Sequence, residues 1–215
     1  MDRKKLLFLI GTAMAAFLDF SVGALLATIV GSVMGEPVNI WHLIAGGILA
    51  LLPDITQITM SCFKKKQIFI SDHHETFDHW PILMITIWTV LLFIVGGRYW
   101  GVLTFLCMFF HYNHDMEIGN NGGIAFFAPF KWEFFTWFKG FYDPETSPIY
   151  RPENILGTWV WENWLKPSTL SLIEISLGSA ALAIATSMVV NYRVSILLFA
   201  FCWIGTILVW REARS

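Results

Sequence analysis

From Leu6 to Met34 the chain reads LLFLIGTAMAAFLDFSVGALLATIVGSVM, and Asp19 is its one charged residue. A run of that length has few ways to fold. A helix needs roughly 20 apolar residues to cross about 30 Å of hydrocarbon, and backbone groups in lipid must be satisfied within the element itself. Further apolar runs follow at about residues 41–60, 81–97, 99–117, 169–190 and 193–210. With 56% hydrophobic and only 14% charged residues, an ordinary soluble domain is excluded. The expected fold is all-α: a polytopic membrane protein of about six transmembrane helices, forming a single membrane-embedded domain over residues 1–215. The opening MDRKKLLFLIGTAMAA has the basic start and Ala13-x-Ala15 site of a secretory signal. Its apolar run continues past Ala15, so it reads as an uncleaved first span. Residues 6–34 would make a helix of roughly 43 Å, so tilt or a break is expected near Asp19, between Gly11 and Gly23. A full break there, or a re-entrant hairpin, would change the side of the N-terminus and leave the later loops where they are.

Positive charge sets the orientation, because cytoplasmic loops retain Lys and Arg. One side of the six-span arrangement receives Arg3, Lys4, Lys5, Lys64, Lys65, Lys66, Lys131, Lys139, Arg151, Lys166, Arg211 and Arg214; the other receives only Arg98 and Arg193. Both termini, the 61–80 loop and the 118–168 loop are therefore expected on the cytoplasmic side of the inner membrane. Within the long loop, KWEFFTWFKGFY (131–142) puts Glu133, Thr136 and Lys139 on one helical arc, with aromatic residues largely opposite. NILGTWVWENWL (154–165) adds three tryptophans. Both are expected to be amphipathic helices lying in the interface and anchored in membrane lipid. Between them YDPETSPIYRPEN, with Pro144, Pro148 and Pro152, reads as an ordered turn or lid. The net charge of −2 and the lack of a basic tail point away from nucleic acid. Cys62, Cys107 and Cys202 are far apart, and no C-x-x-C pair suggests a disulfide framework or thiolate zinc.

Against this apolar background the polar residues cluster. ILALLPDIT (48–56) sets Pro53-Asp54 in the cytoplasmic half of the second span, and SDHHETFDHWP (71–81) holds three of the six histidines. FFHYNHDMEIGNNGG (109–123) ends the fourth span. The topology brings all three to one side of the membrane. His111 and Asp115 are four residues apart and share a helix face, with His114 near it. An imidazole and a carboxylate so placed can bind one divalent cation, or two bridged by the carboxylate. His42 lies twelve residues before Asp54, about 18 Å along a helix, and is left out of the site. Asp19 and Glu174 are further intramembrane acids, readable as proton handlers or as groups packed on a polar neighbour.

Spacing narrows the chemistry. In His74-Glu75-Thr76-Phe77-Asp78-His79 the position where H-E-x-x-H needs its second histidine is Asp78, which disfavours a zincin. Six histidines are too few for a di-iron desaturase, and no G-x-S-x-G is present. What remains is a mixed His/Asp set, the ligand chemistry of hydrolytic zinc or manganese centres.

The order and internal spacing of these motifs resemble the YdjM-type family of bacterial membrane proteins, described as LexA-regulated, predicted membrane-bound metal-dependent hydrolases. That family's pattern runs P-D-x-D, H-R-G-x-T-H, then H-x-x-x-D followed by G-V-x-x-x-x-P-F. Here the corresponding residues are Pro53-Asp54-Ile55-Thr56, His74-Glu75-Thr76-Phe77-Asp78-His79, His111-Tyr112-Asn113-His114-Asp115 and Gly123 to Phe130, so the resemblance covers roughly residues 41–132. It implies Asp54, His74, His79, His111 and Asp115 as metal ligands. Thr56, Glu75, Thr76 and Asp78 depart from the pattern, which leaves Asp78, His73 and His114 as replacement ligands. The implied cofactor is one or two divalent metal ions, zinc first, with manganese or iron as alternatives. Asp78, Glu75 and Glu117 are the candidate general bases. The expected function is a membrane-bound metal-dependent hydrolase at the cytoplasmic interface, with a lipid or lipid-linked phosphoester as the substrate that this location suits. Two alternatives stand beside it: a divalent-cation transporter or channel, and a non-catalytic membrane scaffold subunit derived from the hydrolase family.

Overall fold

In a computed structural model, residues 3–55, 76–116, 123–137, 140–142 and 156–214 are described. Eight α-helices and one short hairpin make up the named longer elements among them: α1 (Arg3–Ala15), α2 (Phe17–Met34), α3 (Ile40–Ala50), α4 (Pro81–Gly96), α5 (Arg98–Asp115), β1 (Phe134–Thr136), β2 (Gly140–Tyr142), α6 (Leu156–Asn163), α7 (Thr169–Val189) and α8 (Tyr192–Arg214). Two 3-10 turns, Leu52–Asp54 and Phe77–His79, carry site residues. The chain divides into two compact units, Met1–Leu49 with Trp159–Ser215, and Ala50–Thr158.

Each expected span contains helix, and among the described residues three helices are long and apolar enough to cross a membrane: Arg3–Met34, Thr169–Val189 and Tyr192–Arg214. Helices α3 and α4 are apolar but shorter. At 16 residues α4 is about 24 Å long, less than the hydrocarbon core. The second span, expected over 41–60, ends as a regular helix at Ala50. The Pro53 ring, which clashes with the carbonyl four residues earlier, accounts for that end. The mostly helical class holds, then, without establishing six crossings. Exposed side chains fit lipid as the solvent: on α8, Leu197 and Phe201 are 70% and 72% exposed, whereas water would penalise such a face.

In the first unit α1 and α2 form one rod. Ala16 alone leaves the helical assignment, and the bonds from Ala16 N–H to the Thr12 carbonyl (3.2 Å) and from Phe20 N–H to the Ala16 carbonyl (3.1 Å) carry the ladder across it. The expected break near Asp19 is thus a local interruption three residues earlier. Gly35 stops α2 with φ 70°, its N–H bonded to the Gly31 carbonyl, a left-handed cap that glycine adopts without a Cβ penalty. The chain returns antiparallel as α3, in contact so close that a Cβ on Gly46 would sit 2.3 Å from the Gly23 carbonyl oxygen. Against α7, by contrast, α2 runs parallel. Met14 and Ala15 cluster with Ile175, Phe17 meets Gly178, and Ala24 clusters with Ala185. Ser168 caps α7 reciprocally with Ser171. At one end of this unit Arg3 pairs with Glu212 at 3.1 Å, and the Trp210 indole donates to the Trp164 carbonyl at 2.9 Å. The first and last helices and the segment leading into α7 therefore share that end.

In the second unit Gly97 alone joins α4 to α5, with φ 85°, and Gly101 lies against Phe93. The two helices pack side by side over Met84, Met108, Tyr112, Met116 and Ile124. The segment expected to be an amphipathic helix over 131–142 is instead an antiparallel hairpin, β1 paired with β2. Its burial alternates: Phe134 and Thr136 are buried, and Phe135 is partly exposed. Aromatic residues at period two fit a half-buried strand as well as a helix arc, and pairing decided between them. Ile124 and Phe135 exchange backbone hydrogen bonds (3.2 and 2.9 Å), and Trp137 N–H bonds the Met116 carbonyl at 3.0 Å, tying the hairpin to the end of α5. The other loop expectation holds in part, since α6 is a helix over Leu156–Asn163.

Because nothing larger than hydrogen fits between α2 and α3, Gly46→Leu should destabilise the protein by about 1–3 kcal/mol through overpacking. Thermal unfolding in detergent beside an exposed control such as Gly205→Leu, where nothing lies within 4 Å, measures this.

Candidate metal centre

Three short pieces of the second unit meet in one polar focus. Asp54 ends the 3-10 turn that follows α3, with its N–H bonded to the Leu51 carbonyl at 3.1 Å. His79 ends the second 3-10 turn, held by its N–H to the Thr76 carbonyl at 2.9 Å, and Pro81 then opens α4. Proline suits that first helical position because its missing N–H would find no helical acceptor there. His111 and Asp115 stand one turn apart on the last part of α5.

Both imidazoles point their Nε2 atoms at the same carboxylate oxygen. Asp115 Oδ2 lies 3.0 Å from His111 Nε2 and 3.3 Å from His79 Nε2. Asp54 Oδ1 lies 3.7 Å from His111 Nε2 and 3.8 Å from His79 Nε2. One donor atom each from Asp54, His79 and His111 falls within 4.8 Å of the others. Nitrogen and oxygen ligands at about 2.1 Å around a tetrahedral cation are roughly 3.4 Å apart, and the four separations bracket that value. The residues present therefore fit a divalent metal.

Charge favours the same occupant. His79 and His111 are fully buried, and three carboxylates, Asp54, Asp78 and Asp115, lie within 4 Å of them. Uncompensated negative charge in such a place is costly, and a dication offsets it. Burial pulls the His79 imidazole down, yet the carboxylates of Asp115, Asp78 and Asp54 outweigh that and hold it above its usual 6.5.

The sequence-predicted residues divide cleanly. Asp54, His79, His111 and Asp115 are brought together. His114 stacks on Phe110 at 6.1 Å and is not among the convergent donors. Asp78 lies on the other side of the His79 ring, with Oδ1 3.7 Å from Nδ1. His73, His74, Glu75 and Glu117 lie outside the described residues. His42 belongs elsewhere, its Nδ1 2.9 Å from Asn39 Oδ1 at the start of α3. Two contributors were missed in the sequence. The Tyr112 hydroxyl donates to the Asp78 carbonyl, and the Thr76 hydroxyl donates to Asp78 Oδ1. A phenol directly after His111 was the available signal.

The sequence pattern of the YdjM inner membrane protein family matches residues 14–213. The chain belongs to that family. The match extends well beyond the 41–132 stretch that carries the motifs, and it takes in all three pieces that supply the site. Together with the apolar helices it makes this a membrane protein. No curated protein and no solved structure is significantly similar to it.

Metal must displace a proton from His79, whose pKa is raised in the metal-free site. Zinc affinity should therefore begin to fall while pH is still above 6.5, earlier than for an ordinary histidine ligand, and continue falling as pH drops. Competition titration with a chromophoric chelator between pH 6 and 8 reads this directly; pH-independent affinity across that window would contradict it.

Proposed function

We propose that this protein is a membrane-bound metal-dependent hydrolase whose substrate is a lipid or lipid-linked phosphoester. The observation that carries the proposal is the convergence of the buried His79 Nε2 and His111 Nε2 on Asp54 and Asp115. Asp54, His79, His111 and Asp115 hold the ion, with zinc preferred by the mixed nitrogen and oxygen set. When bound, such an ion supplies Lewis acidity toward an ester or phosphoryl oxygen and makes water a better nucleophile at neutral pH. The protein's own part is to orient and to exclude solvent. The two imidazoles are immobilised by burial, while the carboxylate side, where Asp54 and Asp115 are 14% and 16% exposed, is the approach proposed for substrate. Glu75 and Glu117 are the proposed acceptors for the proton of the attacking water.

In this reading the helices cross the inner membrane six times, with both termini cytoplasmic. Two observations favour it: the lysine and arginine bias, and the pairing of Arg3 with Glu212, which puts both terminal helices at one end of their unit. Parallel α2 and α7 also require an even number of crossings from the start of one to the start of the other.

Protein reconstituted with zinc or manganese should cleave phosphoester lipids in liposomes, lose the activity to a chelator and recover it with metal. His111→Ala should lower the rate by about 100-fold or more, because even residues behind a ligand cost 10–100-fold. Divalent-cation uptake into the same liposomes without any hydrolysis would instead favour transport, with Asp19 and Glu174, both buried in the first unit, as its groups.

A further inference from the structure

Tyr112 is fully enclosed, yet neither the proposed ligands nor the proposed bases include it. Its ring meets both site imidazoles edge-on, at 6.0 Å and 83° for His79 and at 5.9 Å and 85° for His111. Its hydroxyl crosses 34 residues of sequence to donate to the Asp78 carbonyl, on the turn that carries His79. One side chain thus fixes the separation and tilt of two rings that come from different elements and whose centroids stand 5.8 Å apart. Asp78 is held at both ends, its carbonyl by Tyr112 and its Oδ1 by the Thr76 hydroxyl. That leaves the carboxylate 3.7 Å from His79 Nδ1, on the side of the ring away from Asp54 and Asp115. A carboxylate there favours the tautomer with the proton on Nδ1, which leaves the Nε2 lone pair for a cation.

We infer that Tyr112 and Asp78 are positioning residues of the metal centre: Tyr112 locks the mutual orientation of His79 and His111, and Asp78 selects the metal-binding tautomer of His79. The inference rests on the metal reading above and removes Asp78 from the candidate bases. A carboxylate already accepting from Thr76 and facing Nδ1 is not aimed at the focus where water would be activated.

The test uses the purified full-length protein and cobalt(II), whose visible absorption reports coordination geometry, with affinity from chelator competition and helical content from circular dichroism. Tyr112→Phe removes one oxygen, and Asp78→Ala removes the carboxylate while leaving the backbone carbonyl that Tyr112 holds. Each should weaken cobalt binding by about 10–100-fold and alter the visible bands, with helical content retained. Met84→Leu, in the same buried cluster as Tyr112, should leave the bands unchanged, which separates positioning from general packing. If the unsubstituted protein binds no cobalt, the metal reading falls and takes this inference with it. If it binds and both variants match its affinity and spectrum, only the positioning role is overturned. Should one variant fail to fold, the other decides.

Discussion

Two imidazoles facing one carboxylate oxygen, at 3.0 and 3.3 Å, form the contact on which the second unit depends. His111 and Asp115 would meet on any regular helix, since four residues separate them. His79 would not. It is brought to α5 by a turn whose Asp78 and His79 are buried, held by Tyr112 and continued directly into α4 by Pro81. The antiparallel packing of α4 on α5, forced by the single connecting residue Gly97, then returns the start of α4 to the end of α5. The hairpin bond from Trp137 to Met116 secures that end one residue beyond Asp115. Hence His79 meets the His111–Asp115 turn because the one-residue link at Gly97 folds α4 back along α5.

The first unit solves a different problem. Its helices face lipid, where hydrophobic burial between helices gives little drive, so association rests on close packing of small residues. Glycines 23, 31, 46 and 178 lie at such contacts, with the Gly46 approach among the tightest. Parallel packing puts the start of the α1–α2 rod at the same end of the unit as the start of α7, and the Arg3–Glu212 pair brings the end of α8 there too.

Much of this was legible in the sequence because lipid leaves few choices. Long apolar runs had to be helices, and apart from the run at 41–60 the helix positions follow them within a few residues. The i, i+4 spacing of His111 and Asp115 is a local property, so it survived folding unchanged. The role of Tyr112 was not legible, because it depends on which turn lies across from α5, a tertiary fact. The hairpin over 134–142 was misread as a helix for a similar reason. A short aromatic run carries both periods, and only its pairing with Gly140–Tyr142 and with Ile124, eleven residues before Phe135, distinguishes them. Length alone does not establish the count of six spans: the regular helix α3 ends at Ala50, and proline in an apolar run does not say whether a helix will resume.

A buried cluster of two histidines and two aspartates is a metal site only if metal is there. Elemental analysis of protein purified without chelator, native and with His79→Ala plus His111→Ala, tests that claim most directly. The account predicts a stoichiometric divalent transition metal in the native protein and its loss from the double variant. No metal in the native protein, or metal retained unchanged by the double variant, would contradict it.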